Sequence, residues 1–186
     1  QTDVHAAEAW AVRDSHNLSG YSYNTRESEH FRIIWGNEDV NLSPYGQFSP
    51  VAKTDEFING NLQNLESTRE FFINELGLSD IGRPPSSPYG QRYKLNVYIS
   101  YTGLGNVVGD DWAYMTTDAG GYAYLVLDPD AMQVYPQSTV IPHELAHAFT
   151  HHMGGVTTWE WYEPVANFCR NEWLKSSYYK TGPDTD

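Results

Sequence analysis

The chain of 186 residues contains one cysteine, Cys169, so no disulfide can form within it. Positive charge is also scarce: 11 Lys and Arg stand against 24 Asp and Glu, a formal net charge of −13. Nucleic acid and anionic membrane surfaces are therefore poor partners, because no basic patch is available to displace their counterions. Long apolar runs are missing as well. The longest, around Tyr122–Leu127, is far too short to cross a bilayer, so no membrane insertion is expected. Gln1–Gly20 is mixed and acidic and has no apolar stretch of the kind that marks a signal peptide. No internal repeat or low-complexity tract is present. With 40% hydrophobic and only 19% charged residues, the sequence excludes wholesale disorder and can fill the core of one domain.

Aromatic residues, by contrast, are plentiful at 15%, with 14 Tyr and 6 Trp. Clusters such as Trp159–Tyr162 and Tyr178–Tyr179 suit either packing or the lining of a peptide or sugar cleft. Cys169 falls in an apolar helical pattern with Val165, Phe168 and Trp173, which predicts a buried core thiol.

The stretch with the most specific chemistry is His143-Glu144-Leu145-Ala146-His147, of the form H-E-x-x-H. On a helix, residues four apart share a face, so both imidazoles can reach one metal ion. The glutamate between them then lies beside the metal's open position, where it can serve as general base. The alternative is a chance match on a surface helix.

Periodicity and breakers define the elements around the motif. Ala6–Val12 suggests a short helix, Gly20–Ser28 a loop, and Glu29–Trp35 a strand stopped by Gly36-Asn37. Apolar residues from Phe57 to Leu76 recur at helical spacing within Val51–Leu76, with Gly77 as the stop and Gly60-Asn61 as a weak middle. Lys94–Tyr101 alternates like a half-buried strand, and Trp112–Thr117 and Tyr122–Leu127 read as two more. Ser138 or Thr139 can cap the motif helix, whose first turn tolerates Pro142 and which Gly154-Gly155 ends. A last helix is expected over Tyr162–Ser177, with Pro164 near its first turn.

This order of strand, long helix, strands, motif helix and final helix resembles the zincin scaffold of metallopeptidases over roughly Glu29–Ser177. The resemblance implies an α+β fold in which a twisted mixed sheet packs on a long backing helix and the motif helix. It also implies a single catalytic domain: an N-terminal extension over 1–28, the sheet with its two helices over 29–153, and a C-terminal helical part over 154–186. Among zincins the metzincin extension is disfavoured, since Thr150 and Met153 stand where it needs glycine and a third ligand. The aspartate pattern G-T-x-D has no match. Downstream of the second histidine the chain reads Trp161-Tyr162-Glu163-Pro164-Val165-Ala166-Asn167, with Glu163 sixteen residues beyond His147. That resembles the gluzincin arrangement, in which a glutamate on the next helix completes the site and a polar residue one turn later supports a ligand histidine. Asn167 takes that place here, where the family pattern has aspartate; its amide oxygen can still accept an imidazole N–H. Glu160 and Glu172 are the competing carboxylates.

The resemblance thus implies Zn2+ held by His143, His147 and Glu163, with Glu144 as base, in hydrolysis of a protein or peptide substrate. Candidates for the oxyanion donor are Tyr162, His151, His152, Tyr178 and Tyr179, although the two histidines are expected at the exposed end of the motif helix. Gly121–Leu127 is expected to be the edge strand along the cleft, pairing with an extended peptide as an endopeptidase would require. Trp159–Tyr162 would then favour large apolar side chains, and, Arg170 apart, no basic cluster near the motif points to a dedicated carboxylate clamp. The rival function is a catalytically weak or inactive zincin-like module that binds peptide or glycan through exposed aromatics. The wider likeness is to secreted bacterial zincin-like proteins with an H-E-[FL]-A-H helix and a glutamate ahead of Ala-Asn. These imply an extracellular location and are often longer, which fits an excised catalytic domain. The protein is expected to act as a monomer, with metal serving chemistry more than folding.

Overall fold

The computed structural model describes residues 9–38, 43–46, 52–155 and 158–184. Strand β1 (Tyr23–Glu27) runs antiparallel to β2 (Phe31–Gly36) through a turn at Ser28–His30. The stretch expected as a loop over Gly20–Ser28 is therefore mostly strand. Its exposed polar residues, Tyr-Asn-Thr-Arg-Glu, suit an outer strand and hid it from a reading based on apolar content.

Helix α1 (Asp55–Asn74) comes next, capped by the Thr54 hydroxyl, which accepts the Phe57 N–H at 3.3 Å. The expected start at Val51 lies outside the described residues, and Ala52–Thr54 forms a turn. At the other end Gly77 takes φ +68°, and the Leu78 N–H bonds back to the Phe72 carbonyl at 3.0 Å. Gly60, which looked like a weak point, is a packing necessity: a Cβ there would lie 2.7 Å from Val134 Cγ1.

Strands β3 (Leu95–Ile99), β4 (Ala113–Thr117) and β5 (Ala123–Leu127) complete a mixed sheet of five, in the order β1-β2-β3-β5-β4. The β2–β3 and β3–β5 pairs are parallel, and β4 lies antiparallel to β5. The short helix α2 (Gly105–Val108) precedes β4, and a 3-10 turn, Pro129–Met132, succeeds β5. The motif helix α3 (Val140–His152) and α4 (Trp159–Leu174) end the order, giving an α+β fold with four α-helices among the described residues. Helix α4 starts three residues before the expected Tyr162, so Pro164 sits inside it rather than in its first turn.

Two predictions about strands are corrected. β3 is buried on both faces rather than half-buried, because it pairs on both edges and both sheet faces are covered. On one face α1, α3 and α4 bury Phe72, Leu145, Phe149 and Trp173 against Ile33, Val97 and Leu125. On the other, Leu18 and Tyr21 pack with α2 on Ile34, Tyr98 and Val126, while Asn96 Nδ2 donates to the Arg13 carbonyl at 2.7 Å. The segment read as an N-terminal extension is thus part of the fold. Its expected helix over Ala6–Val12 is not formed where described: Ala11 instead makes a parallel bridge to Tyr93, and residues 6–8 lie outside the described residues.

The second correction concerns the edge. β5 lies between β3 and β4, so the edge beside the motif helix is β4. The two sequences explain it: Ala-Tyr-Leu-Val-Leu is entirely buried, as an interior strand must be, whereas Ala-Tyr-Met-Thr-Thr is only partly buried.

No helix among the described residues is long and apolar enough to cross a membrane.

Candidate metal centre

Helix α3 begins where the Ser138 hydroxyl accepts the Val140 N–H at 3.1 Å; Thr139, the other expected cap, makes no such bond. Pro142 falls in the first turn, where a missing N–H breaks no intrahelical bond. Leu145, Ala148 and Phe149 bury the helix against the core, with Phe149 edge-on to Phe72 of α1 at 5.2 Å. This docking turns His143 and His147 toward α4.

Their Nε2 atoms lie 3.2 Å apart. Glu163, in the second turn of α4, reaches both: Oε2 is 3.0 Å from His143 Nε2, and Oε1 is 3.2 Å from His147 Nε2. One ligand atom from each of the three residues falls within 4.8 Å of the others, a group that could hold a metal ion. The His147 side chain is only 4% exposed while that of Glu163 is 55% exposed, so the site is walled by the protein on one side and open on the other.

The surroundings set the charge states. Burial, with His143 adding to it and Glu163 opposing, lowers the His147 pKa to about 4, which keeps the ring uncharged at neutral pH. Glu144 is 8% exposed. Burial and the neighbouring Glu163 charge push its carboxyl up to about 7, although the Met115 N–H of β4 donates to it. The middle glutamate of the motif thus lies between the ligand group and the sheet edge. Met115, Thr116 and Thr117 line an adjoining cleft of about 310 Å³ with His151, Gly155 and Tyr162.

The other expected site residues divide. Tyr162 stacks face to face on His147, ring centres 3.9 Å apart and planes at 15°. Burial and the Glu144 and Glu163 charges raise its pKa, so the phenol remains protonated. His151 lines the cleft and sets Nε2 2.9 Å from the Gly121 carbonyl. His152 bonds the Arg83 carbonyl and accepts the Ala123 N–H at 3.3 Å. The two histidines are therefore half-buried ties between α3 and the start of β5, and not an exposed helix end. Burial lowers the His152 pKa to about 4.

Tyr178 packs on Phe71 and Tyr179 on Trp173, both against the core, so the structure does not bring either to the site as an oxyanion donor. Neither His143 Nδ1 nor His147 Nδ1 has a hydrogen-bond partner among the described residues, so Asn167 does not support a ligand histidine as expected. Of the competing carboxylates, Glu172 pairs with Lys175 at 2.6 Å and Glu160 is exposed in the first turn of α4. Arg170 contacts Asn171. Cys169 is buried, as its pattern predicted, and burial raises its thiol pKa.

Sequence reasoning finds a strand over Trp112–Thr117 but not its place at the site, and so it misses Met115. The signal was there: two hydroxyl residues in a short strand, next to a wholly apolar one, mark an edge.

No curated protein and no solved structure matches the chain. Residues 4–175 match a family described as a family of unknown function, DUF6055. Since that span takes in the sheet, the three long helices of the core and all three members of the ligand group, the chain belongs to the DUF6055 family.

Proposed function

We propose that the chain is a zinc-dependent endopeptidase of the zincin type, gluzincin-like in its ligands. The observation that carries this reading is the convergence of His143, His147 and Glu163 from two helices, with Glu144 buried beside them. Two imidazoles and a carboxylate with an open side suit catalytic zinc, whereas closed structural sites rely on cysteines. The topology adds support: α1 and α3 share one face of a mixed sheet whose antiparallel edge strand borders the motif helix, as in the zincin scaffold.

Zinc bound by this group would polarise a carbonyl oxygen and acidify a water. Glu144, buried beside the ligand group, would then accept the proton of the attacking water and deliver it to the leaving amine. The outer edge of β4, where the Met115 N–H is given to Glu144, can use its remaining backbone groups to pair with an extended peptide and lay it across the site. An open edge takes the middle of a chain as readily as its end, which favours endopeptidase action. Of the side chains expected as oxyanion donors, Tyr162 and His151 line the cleft and remain the candidates for that role. Likeness to secreted bacterial proteins is the ground for placing the protein outside the cell.

A second reading, a module that binds peptide or glycan without turnover, draws on Trp159 and Trp161. They are 84% and 62% exposed just ahead of Glu163. A quenched-peptide library assayed with and without chelator separates the two. Under the peptidase reading chelation stops cleavage, and Glu144→Gln lowers turnover by roughly 10²–10⁴-fold while bound zinc stays at one per chain. Retained turnover in that variant would sink the mechanism, and binding without cleavage in the parent protein would favour the module.

A further inference from the structure

The ring nitrogens that face away from the ligand group pose a physical problem. An imidazole that offers Nε2 to a metal carries its proton on Nδ1, and such rings are usually held in plane by an acceptor for that proton. His147 Nδ1 is buried and has no partner among the described residues. The outer torsion of histidine is soft, so an unheld ring can swing its Nε2 away from the other ligands. Yet the ring is flanked on two sides. His143 meets it edge-on at 4.8 Å and 86°, and Tyr162 covers it face-on at 3.9 Å and 15°.

Tyr162 is itself fixed by α4. It occupies the same helical face as Ala166, Cys169 and Trp173, which are buried in the core. It also immediately precedes Glu163, so one helical turn delivers both a ligand and the ring that lies on another ligand. The electron-rich face of the phenol suits an imidazole that becomes more positive when its nitrogen gives density to a cation.

We propose that Tyr162 is a positioning residue, whose ring stacks on His147 and holds that imidazole in its ligating plane in place of a hydrogen bond to Nδ1. The proposal rests on the reading of His143, His147 and Glu163 as a metal site, and it assigns the work to the aromatic face, not to the hydroxyl.

The test is metal affinity, measured by competition with a chromophoric chelator for Zn2+ and Co2+, together with the visible spectrum of the Co2+ form. Tyr162→Phe keeps the stack and should bind within about two-fold of the parent with an unchanged spectrum. Tyr162→Leu keeps apolar volume but loses the stack; it should bind about 10–100-fold more weakly, the range usual for residues that orient a ligand, with an altered spectrum. If Leu lowers the melting temperature of the metal-free protein by more than a few degrees, Tyr162→Met supplies the same comparison. Leu or Met variants that bind like the parent would overturn the proposal, as would a Phe variant as weak as Leu. A parent protein that binds neither ion would instead overturn the metal-site reading. A Phe variant with normal affinity but a lower kcat would give the hydroxyl a separate role with the substrate and leave the stacking role in place.

Discussion

Two clusters in this molecule combine histidine with glutamate, and they are built in opposite ways. At the β1–β2 turn, Glu66 of α1 is surrounded by donors: Ser28 Oγ donates at 2.5 Å, the His30 N–H at 2.9 Å, and His30 Nδ1 lies 2.7 Å away. Burial alone would raise the Glu66 pKa, but the bonds from His30 and Ser28 outweigh it and hold the carboxyl below its ordinary range. At the α3–α4 site the arrangement inverts. Potential ligand atoms of His143, His147 and Glu163 face one another, both Nδ1 atoms lack a partner among the described residues, and Glu144 is pushed up to about 7. The first cluster is complete as it stands and ties a hairpin to a helix. The second gathers three side chains that can each offer one ligand atom to a single cation. Composition alone does not separate these cases; whether donors close around the carboxylate or potential ligand atoms converge beside unpartnered ring nitrogens does.

The sharpest way to break the comparison is to remove one carboxylate from each cluster. Glu163→Ala should weaken Zn2+ binding by more than roughly 100-fold, beyond what losing a merely supportive residue brings about. Glu66→Ala should leave the affinity unchanged and cost about 1–3 kcal/mol of stability, a fall of roughly 2–12 °C in melting temperature. Competition titration and thermal melting on both variants read this out. Equal metal affinities would dissolve the distinction.

The two carboxylates should also titrate with opposite sign in the metal-free protein. Glu66 has a folded pKa below its usual 4.5, so it adds stability above that value that is lost as pH falls through the folded pKa. Glu144 has a folded pKa raised from 4.5 to about 7, so the native state holds its proton longer and stability declines as pH rises through that window. Glu144→Gln should therefore stabilise the metal-free protein at pH 8 by about 2–3 kcal/mol relative to its effect at pH 4. Glu66→Gln should be most harmful near neutrality. Denaturant unfolding across pH checks both slopes, and parallel profiles would contradict the assignment.

Metal removal gives a smaller, local effect. Chelation should speed amide exchange in α4 from about Glu163 onward, while α1, the sheet and the β1–β2 turn keep their protection; the melting temperature should drop by several degrees. Global loss of protection would make the metal structural. The smallest effect is expected from Asn167→Ala. Neither ligand ring is held through Nδ1 by a described residue, so metal affinity should stay within about two-fold, and a tenfold loss by competition titration would restore the supporting role that the gluzincin pattern implies.

Some of this was legible in the chain before any tertiary contact. A helix repeats every 3.6 residues, so the spacing of His143 and His147 by itself fixes a shared face, with Glu144 in the adjoining position. The same local periodicity marked α1, the buried Cys169, and the strands from Phe31, Leu95 and Ala123 onward. Other properties depend on which segment lies next to which, and no local pattern states that. Whether β5 or β4 is the edge depends on strand pairing; it moved the free backbone of the cleft from residues 121–127 to Ala113–Thr117. Tyr178 and Tyr179 resemble Tyr162 in sequence, yet Phe71 and Trp173 absorb the first two into the core while α4 lays the third on His147. Glu66 and Glu163 are both helical glutamates; only the arrival of Ser28 and His30 at one, and of two imidazole Nε2 atoms from one helix face at the other, separates a finished hydrogen-bond cluster from a site that can take a metal. Spacing along a helix is a local property and is read directly, whereas donors, acceptors and edges are assigned by neighbours distant in sequence, which only the folded chain supplies.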